Sequence, residues 1–388
     1  MTDLARRDRA ELDDFRDRFA VWMGEHRTEL EPMRSLPSEL DAQFGVQRRF
    51  QRELYEAGWL RRGWPESVGG LGGSVAIRGA LAEELTRAGY VFPLALSMIE
   101  VLAPAVLRFG DPGLAAQMFP RFLSGVEFWC QGFSEPEAGS DLGSMRTQAK
   151  SDGDLWRVSG QKIWTSWAQF AQRCVLLVRT GEQREGFRGV TALFVDMDSA
   201  GITVRPLRAM TGDDEFSEVF FDDVAVPKAR TLGSVGGGAA VTMAVLESER
   251  AVLAWQRQTW LHRCLAQLAA DEDLPEGSAE QIGDVFASLY ALKLRTRDTF
   301  REVVAGHPLG ARSSMDKILL STAEKALFDA ALELLPDRLL LGDTSDAIQL
   351  RHQYVYSRAS SIYGGTAEVQ RNILAQRILG LPRADRQA

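Results

Sequence analysis

The sequence predicts a mainly α-helical fold with a β domain in its middle, and three observations carry that prediction. Amphipathic helical spacing fills the first third, short β-branched runs punctuated by glycine and aspartate fill the middle, and helical spacing returns to the end. These shifts place an N-terminal helical domain at 1–124, an antiparallel β domain at 125–233 and a C-terminal helical domain at 234–388. A chain of 388 residues is too long for one small core, so several packed units are expected.

From Arg9 to His26, Leu12, Phe15, Phe19 and Trp22 recur three or four apart, the stripe of an amphipathic helix. Phe50 and Leu54 mark a second helix over Phe44–Ala57, and Gly63–Gly73 is dense in turn residues. Helices follow over Val75–Ala88, Ala95–Phe109, which Pro104 interrupts, and Leu114–Ser124. In the middle, Leu155–Gly160 reads as a strand running into a turn. Cys174–Arg179, Val190–Val195, Gly201–Pro206 and Glu218–Phe221 follow at short spacing, which suggests an antiparallel sheet or barrel rather than βαβ units. After the loop Gly233–Gly238, Val241, Val245, Leu246, Leu253 and Leu261 trace a long helix. More helices are expected at Ala279–Val304, Ser314–Leu335, Ser345–Ser360 and Ala367–Leu379, the last stopped by Gly380-Leu381-Pro382.

Composition excludes several functions. A net charge of −8, with arginines interleaved among carboxylates, disfavours nucleic acid as a partner. Cys130, Cys174 and Cys264 are too scattered for a disulfide framework or zinc knuckle, and His26, His262, His307 and His352 form no metal-ligand pair, so no metal is expected. The charged N-terminus lacks an apolar signal core and no apolar run approaches membrane-spanning length, which reads as a cytoplasmic protein with no membrane partner.

The richest segment chemically is Trp129-Cys130-Gln131-Gly132-Phe133-Ser134-Glu135-Pro136-Glu137-Ala138-Gly139-Ser140-Asp141. Pro136 and Gly139 build a rigid turn whose N–H groups, with the hydroxyls of Ser134 and Ser140, can face an anion or a polar ring edge. Further on, Gln161-Lys162-Ile163-Trp164-Thr165-Ser166 sets an indole before two hydroxyls at a strand end. An indole face beside hydroxyl donors suits a flat heteroaromatic with polar edges, such as a flavin.

With these two runs, the chain resembles the acyl-CoA dehydrogenase family, most of all its actinobacterial-type members. Phe216–Pro227 and the tail Ile362-Tyr363-Gly364-Gly365-Thr366-Ala367-Glu368 agree with the family in order and spacing, and the helical–β–helical order matches the family fold, whose last domain is a four-helix bundle. The resemblance implies FAD as cofactor, lying along Gln131, Phe133, Ser134, Gly139 and Ser140, and covered by Trp164, Thr165 and Ser166. Thr366 and Glu368 would lie by its phosphates or adenine side. Ser140, Arg250, Tyr363 and Gly364 would contact substrate, an acyl-CoA or other acyl thioester. An electron-transfer flavoprotein would be the electron acceptor.

The implied reaction removes an α-proton and a β-hydride from opposite faces of the substrate, so it needs a positioned carboxylate base. Many family members place that glutamate in a Tyr-Glu-Gly-Thr run; here the run is Tyr363-Gly364-Gly365-Thr366, and glycine cannot be a base. A second family arrangement, found in branched-chain and steroid-side-chain members, puts a glutamate before an arginine on the first helix after the β domain. Leu246-Glu247-Ser248-Glu249-Arg250 resembles it, with Glu249 as the base. Glu247 points about 200° away on a helix and cannot share that face; the plainer reading is that Glu249 and Arg250 are solvated helix charges. The missing side chain at Gly364 favours an α-branched, bulky or cyclic acyl group.

Two family segments that grip FAD across a subunit boundary, Arg-x-x-Phe-Gly and Gln-x-x-Gly-Gly-x-Gly, are not matched by Glu272–Ser278 or Leu339–Thr344. A dimer or tetramer is therefore expected, either of like subunits or with an unlike one. A flavin oxidase or monooxygenase of the same fold, or a non-catalytic subunit completing a partner's site, are the competing functions.

Overall fold

The computed structural model describes residues 3–382. Its residues fall into two compact units, one running to Ser248 and the other starting at Glu249.

The first unit opens with α1 (Asp3–Glu25), α2 (Arg27–Leu30), α3 (Leu40–Glu56), α4 (Ala76–Arg87), α5 (Leu94–Phe109) and α6 (Pro112–Leu123). The stripe read from the sequence is the buried one: Phe15 and Phe19 are fully covered and stack on each other, with Trp59 against both. Pro104 does not end α5, because residues on every side of that helix, from Ala95 to Val106, are buried. That packing outweighs the ladder bond a proline deletes. Asp111 caps α6, accepting from the Leu114 N–H at 2.9 Å, with Pro112 in the first turn where its missing N–H costs nothing.

The strands are β1 (Trp129–Gly132), β2 (Gln148–Asp152), β3 (Leu155–Ser166), β4 (Arg173–Arg179), β5 (Val190–Asp196), β6 (Ile202–Leu207), β7 (Phe216–Pro227) and β8 (Thr231–Leu232). They make one sheet in the order β6-β7-β3-β2-β4-β5-β8, with β1 paired to β4. Most pairs are antiparallel, but β1 and β2 each run parallel to β4. One sheet face packs with the helices, through Trp129, Val175, Leu177 and Phe194 in their core. The alternate residues Cys174, Leu176 and Val178 join Val158, Val219 and Val224 in a second cluster. That alternation is the strand period of two.

Two strand expectations need correction. Leu155–Gly160 does not run into a turn: β3 continues to Ser166, because Gly160 (φ +149°) sits at a register shift against β7 and a Cβ there would stand 2.6 Å from Thr147 Cα. Glycine lets the strand pass that contact as a bulge. Likewise β7 spans Phe216–Pro227, well beyond the expected Glu218–Phe221.

α7 (Gly238–Ala269) begins in the first unit and continues into the second. Then come α8 (Ala279–Val304), α9 (Ser313–Leu334), α10 (Pro336–Leu341), α11 (Ser345–Ser357) and α12 (Ala367–Arg377). Ala254, Leu261 and Leu265 of α7, Leu289 and Leu292 of α8, and Leu320, Leu327 and Phe328 of α9 form this unit's apolar core. The resulting fold is helical, with a β-sheet middle domain and a helical bundle at the end, as the sequence indicated. Among the described residues no helix is long and apolar enough to cross a membrane, and no cluster of histidine, cysteine and carboxylate side chains could hold a metal ion.

Candidate active site

The first unit holds the aromatic-and-hydroxyl motifs. β1 delivers Gln131, and the chain then turns tightly: Glu135 N–H donates to the Ala138 carbonyl at 2.9 Å and Ala138 N–H returns to Glu135 at 3.1 Å. Phe133 is buried, Ser134 is partly exposed, and Gly139 and Ser140 are exposed at the tip. The turn is anchored from beneath by a charge pair. Lys162, fully buried on β3, reaches Glu135 Oε1 at 2.7 Å and the Phe133 carbonyl at 3.1 Å. Glu135 also accepts the backbone N–H groups of Arg146 and Thr147. Burial would raise this carboxyl, but the Lys162 charge and these donors hold it below the usual carboxylate range; burial in turn lowers Lys162, with Glu135 opposing.

Beyond Lys162 the β3–β7 register shifts again, and Trp164 takes a left-handed backbone, φ 60°. A bulky residue in that region is strained and persists where its surroundings fix it. The distortion leaves the indole 58% exposed, its plane at 82° to Phe216 with ring centroids 5.9 Å apart. Thr165 is buried with no hydrogen-bond partner for its hydroxyl, and Ser166, opposite Phe216, is partly exposed. An open indole beside an unsatisfied hydroxyl fits a flat cofactor with polar edges.

The second unit gathers the carboxylate and its neighbours. Glu249 and Arg250 on α7 are both buried, at 7% and 5% exposure, so they are not solvated helix charges. Arg250 Nε donates to the Gly364 carbonyl at 3.2 Å, and Gln370 Nε2 donates to the same oxygen at 3.0 Å. Gly364 and Gly365 both have positive φ, +64° and +96°, so this turn needs glycine. A Cβ at Gly364 would stand 2.8 Å from Glu249 Oε1 and 3.7 Å from Lys317 Cε. The α7 carboxylate therefore fills the space that a side chain at 364 would enter.

Lys317 on α9 donates to the Ser360 carbonyl at 2.7 Å and lies 3.5 Å from the centre of the Tyr363 ring. Two turns along the same helix face, buried Glu324 pairs with Arg257 of α7, which also bonds Gln353. Desolvation lowers Arg257, yet Glu324 and the tyrosines outweigh it and raise it above its ordinary value. Thr366 caps α12, accepting the Val369 N–H at 3.3 Å, and Glu368 is exposed in the first turn. Next to the two segments that depart from the family pattern, Arg338 of α10, just before Leu339–Thr344, pairs with Asp271 and Asp273 at the start of the α7–α8 connection.

Sequence reasoning missed Glu135 and Lys162 as a pair, although both lie inside quoted motifs. It also missed Lys317, Glu324, Arg257 and Gln370. The available signal was Asp316, Lys317 and Glu324 beside the apolar stripe of Leu320, Ala323 and Leu327, since charges on the core side of a helix need partners.

Comparison with known proteins gives three domain matches along the chain: acyl-CoA dehydrogenase N-terminal domain over residues 15–126, middle domain over 130–224 and C-terminal domain over 236–379. Among curated proteins, acyl-CoA dehydrogenase IpdE1 of Mycobacterium tuberculosis is 34% identical, covering 96% of this chain and 98% of its own. A variant of the Tcur3481-Tcur3483 steroid ACAD matches with TM-score 0.83 at 25% identity, over 97% of this chain and 100% of its own. A chain of the ChsE4-ChsE5 complex from Mycobacterium tuberculosis matches with TM-score 0.77 at 28% identity, over 99% of each.

Proposed function

The chain belongs to the acyl-CoA dehydrogenase family, FAD-dependent oxidoreductases acting on CH–CH groups, and on that premise we propose that it desaturates a bulky or cyclic acyl thioester with Glu249 as the base. The observation that carries this reading is the meeting of Glu249 and Gly364. The position where many relatives keep a glutamate is empty of side chain, and the Glu249 carboxylate stands 2.8 Å from where its Cβ would be.

Glu249 takes the α-proton on its carboxylate. Burial strengthens a base that its surroundings position, because water no longer competes for the proton. Arg250 and Gln370 fix the 364–365 turn through the Gly364 carbonyl, which orients the Gly364 N–H as a donor for the thioester oxygen as enolate charge develops. Phe133, Ser134 and Ser140, with Trp164, Thr165 and Ser166, would hold the flavin, with Gln131 and Gly139 in the turn that contacts it. FAD, when bound, supplies the hydride acceptor. Thr366 and Glu368 at the N-terminus of α12 would lie by its phosphates or adenine side, and Tyr363 would contact the substrate.

The relatives named for steroid substrates and for a two-protein complex support a steroid-like acyl group and an assembly with further subunits, unlike ones included. An electron-transfer flavoprotein is the proposed electron acceptor.

The test is the visible spectrum of the purified protein under anaerobic conditions, alone and with octanoyl-, isobutyryl-, cyclohexanecarbonyl- and steroid-side-chain CoA thioesters. The reading expects a flavin spectrum that bleaches fastest with the cyclic or steroid thioesters. A protein that takes up no FAD, or a flavin that none of these bleaches, contradicts it.

A further inference from the structure

Lys317 is a buried cation that the proposed chemistry leaves without a task. It is 4% exposed, on a helix that also buries Leu320, Ala323 and Leu327, so its ammonium must be matched by neighbours. The groups facing it are Glu249 and Arg250 from α7, Glu324 from its own helix, and Tyr363 with the Ser360 carbonyl from the segment before α12. Glu324 is already engaged by Arg257, and the residue before Lys317, Asp316, bonds Thr299 and Arg295 of α8. Glu249 is the carboxylate whose charge acts most strongly on Lys317. The Lys317 Cε methylene, next to the ammonium, and the Glu249 carboxylate both come within 4 Å of one point, the Cβ position of Gly364.

We propose that Lys317 is a positioning residue for the base: its ammonium, moored on the Ser360 carbonyl and the Tyr363 ring, keeps the Glu249 carboxylate ionised and aimed at the space above Gly364. This rests on the reading that Glu249 is the base. A buried carboxylate without a cation beside it is driven towards its neutral form, in which it cannot accept the α-proton. The Tyr363 ring face and the Ser360 carbonyl both engage the ammonium, which limits its motion. Burial lowers Lys317 to about 8, with Glu249 and then Glu324 opposing, so the lysine is charged at neutral pH.

The test is the pH profile of anaerobic flavin reduction in the FAD-loaded protein, using whichever thioester of the panel above bleaches it fastest. The acid limb of that profile reports protonation of the base. Lys317→Gln keeps a donor for Ser360 and removes the charge; Lys317→Met keeps length only; Lys317→Arg keeps the charge. The acid limb should move up by about one pH unit or more in the Gln and Met variants, the scale of losing a nearby opposite charge. It should return towards the wild-type position in the Arg variant. A rate that falls equally at every pH with the limb unmoved, or a change in thermal stability alone, overturns the proposal. Glu249→Gln separates the two claims: abolished reduction there with an unmoved limb in Lys317→Gln removes only the lysine's role. Normal reduction in Glu249→Gln removes both.

Discussion

Glu249 Oε1 lies 2.8 Å from the point where Gly364 would carry a Cβ, so α7 and the turn before α12 compete for one small volume. A carboxylate from one excludes a side chain from the other. The pair Gly364 and Glu249 is thus one structural unit rather than a loss and an unrelated gain.

Gly364→Ala tests that exclusion. The new methyl must push the Glu249 carboxylate aside, and alanine at φ +64° costs about 1–2 kcal/mol. We expect a modest fall in melting temperature, unchanged flavin content and flavin reduction slowed about tenfold or more. Reduction at the wild-type rate would show that the carboxylate has room to spare.

Lys162→Met tests the anchor under the turn. It leaves Glu135 buried without its cation, which should cost about 3–5 kcal/mol, whereas Lys162→Met with Glu135→Gln should recover a large part of that. Urea unfolding of the two single variants and the double variant measures the coupling. Additive losses would mean that the two side chains act independently.

Trp164→Gly separates strain from binding. Glycine relieves a left-handed backbone that costs a non-glycine residue about 1–3 kcal/mol, so the flavin-free protein should be at least as stable as wild type. Its FAD affinity should fall because the exposed indole is gone. Unchanged FAD affinity would show that Trp164 does not cover the cofactor.

Much of this arrangement was legible in the sequence because it follows local rules. Helix periodicity located α1, α8 and α9, and the motif order located Phe133–Ser140 and Trp164–Ser166. What sequence could not give is set by pairing across the fold. Gly160 looked like a turn because glycine usually marks one; only the approach of Thr147 shows that it lets β3 bulge past a neighbour. The Lys162–Glu135 pair joins residues 27 apart in the chain, and Lys317 meets Ser360 across 43. Helical spacing showed that Glu247 and Glu249 differ in direction. It could not show that Glu249 is the one covered, because burial depends on what packs over α7.

Asp316 gives a pH test of the bundle. Burial first, with Arg295 and Thr299 opposing, pushes its carboxyl up to about 6 from an ordinary 3.8. A raised carboxyl contributes stability that is fully present below about 3.8 and is lost as pH rises through about 6. Asp316→Asn, which never ionises, should therefore gain on wild type as pH rises across that window and level off above it. Melting temperatures of both proteins between pH 4.5 and 7 check this. A constant difference would contradict it.

The central claim, that Glu249 takes the α-proton, is tested most directly by anaerobic stopped-flow reduction of the flavin in Glu249→Gln. The amide keeps the shape and hydrogen-bonding capacity of the side chain and cannot accept the proton. FAD should stay bound while bleaching by a good thioester slows about 10²–10⁴-fold or more, with Glu247→Gln, on the other side of α7, affected far less. Bleaching of Glu249→Gln at the wild-type rate would contradict the account and place the base elsewhere.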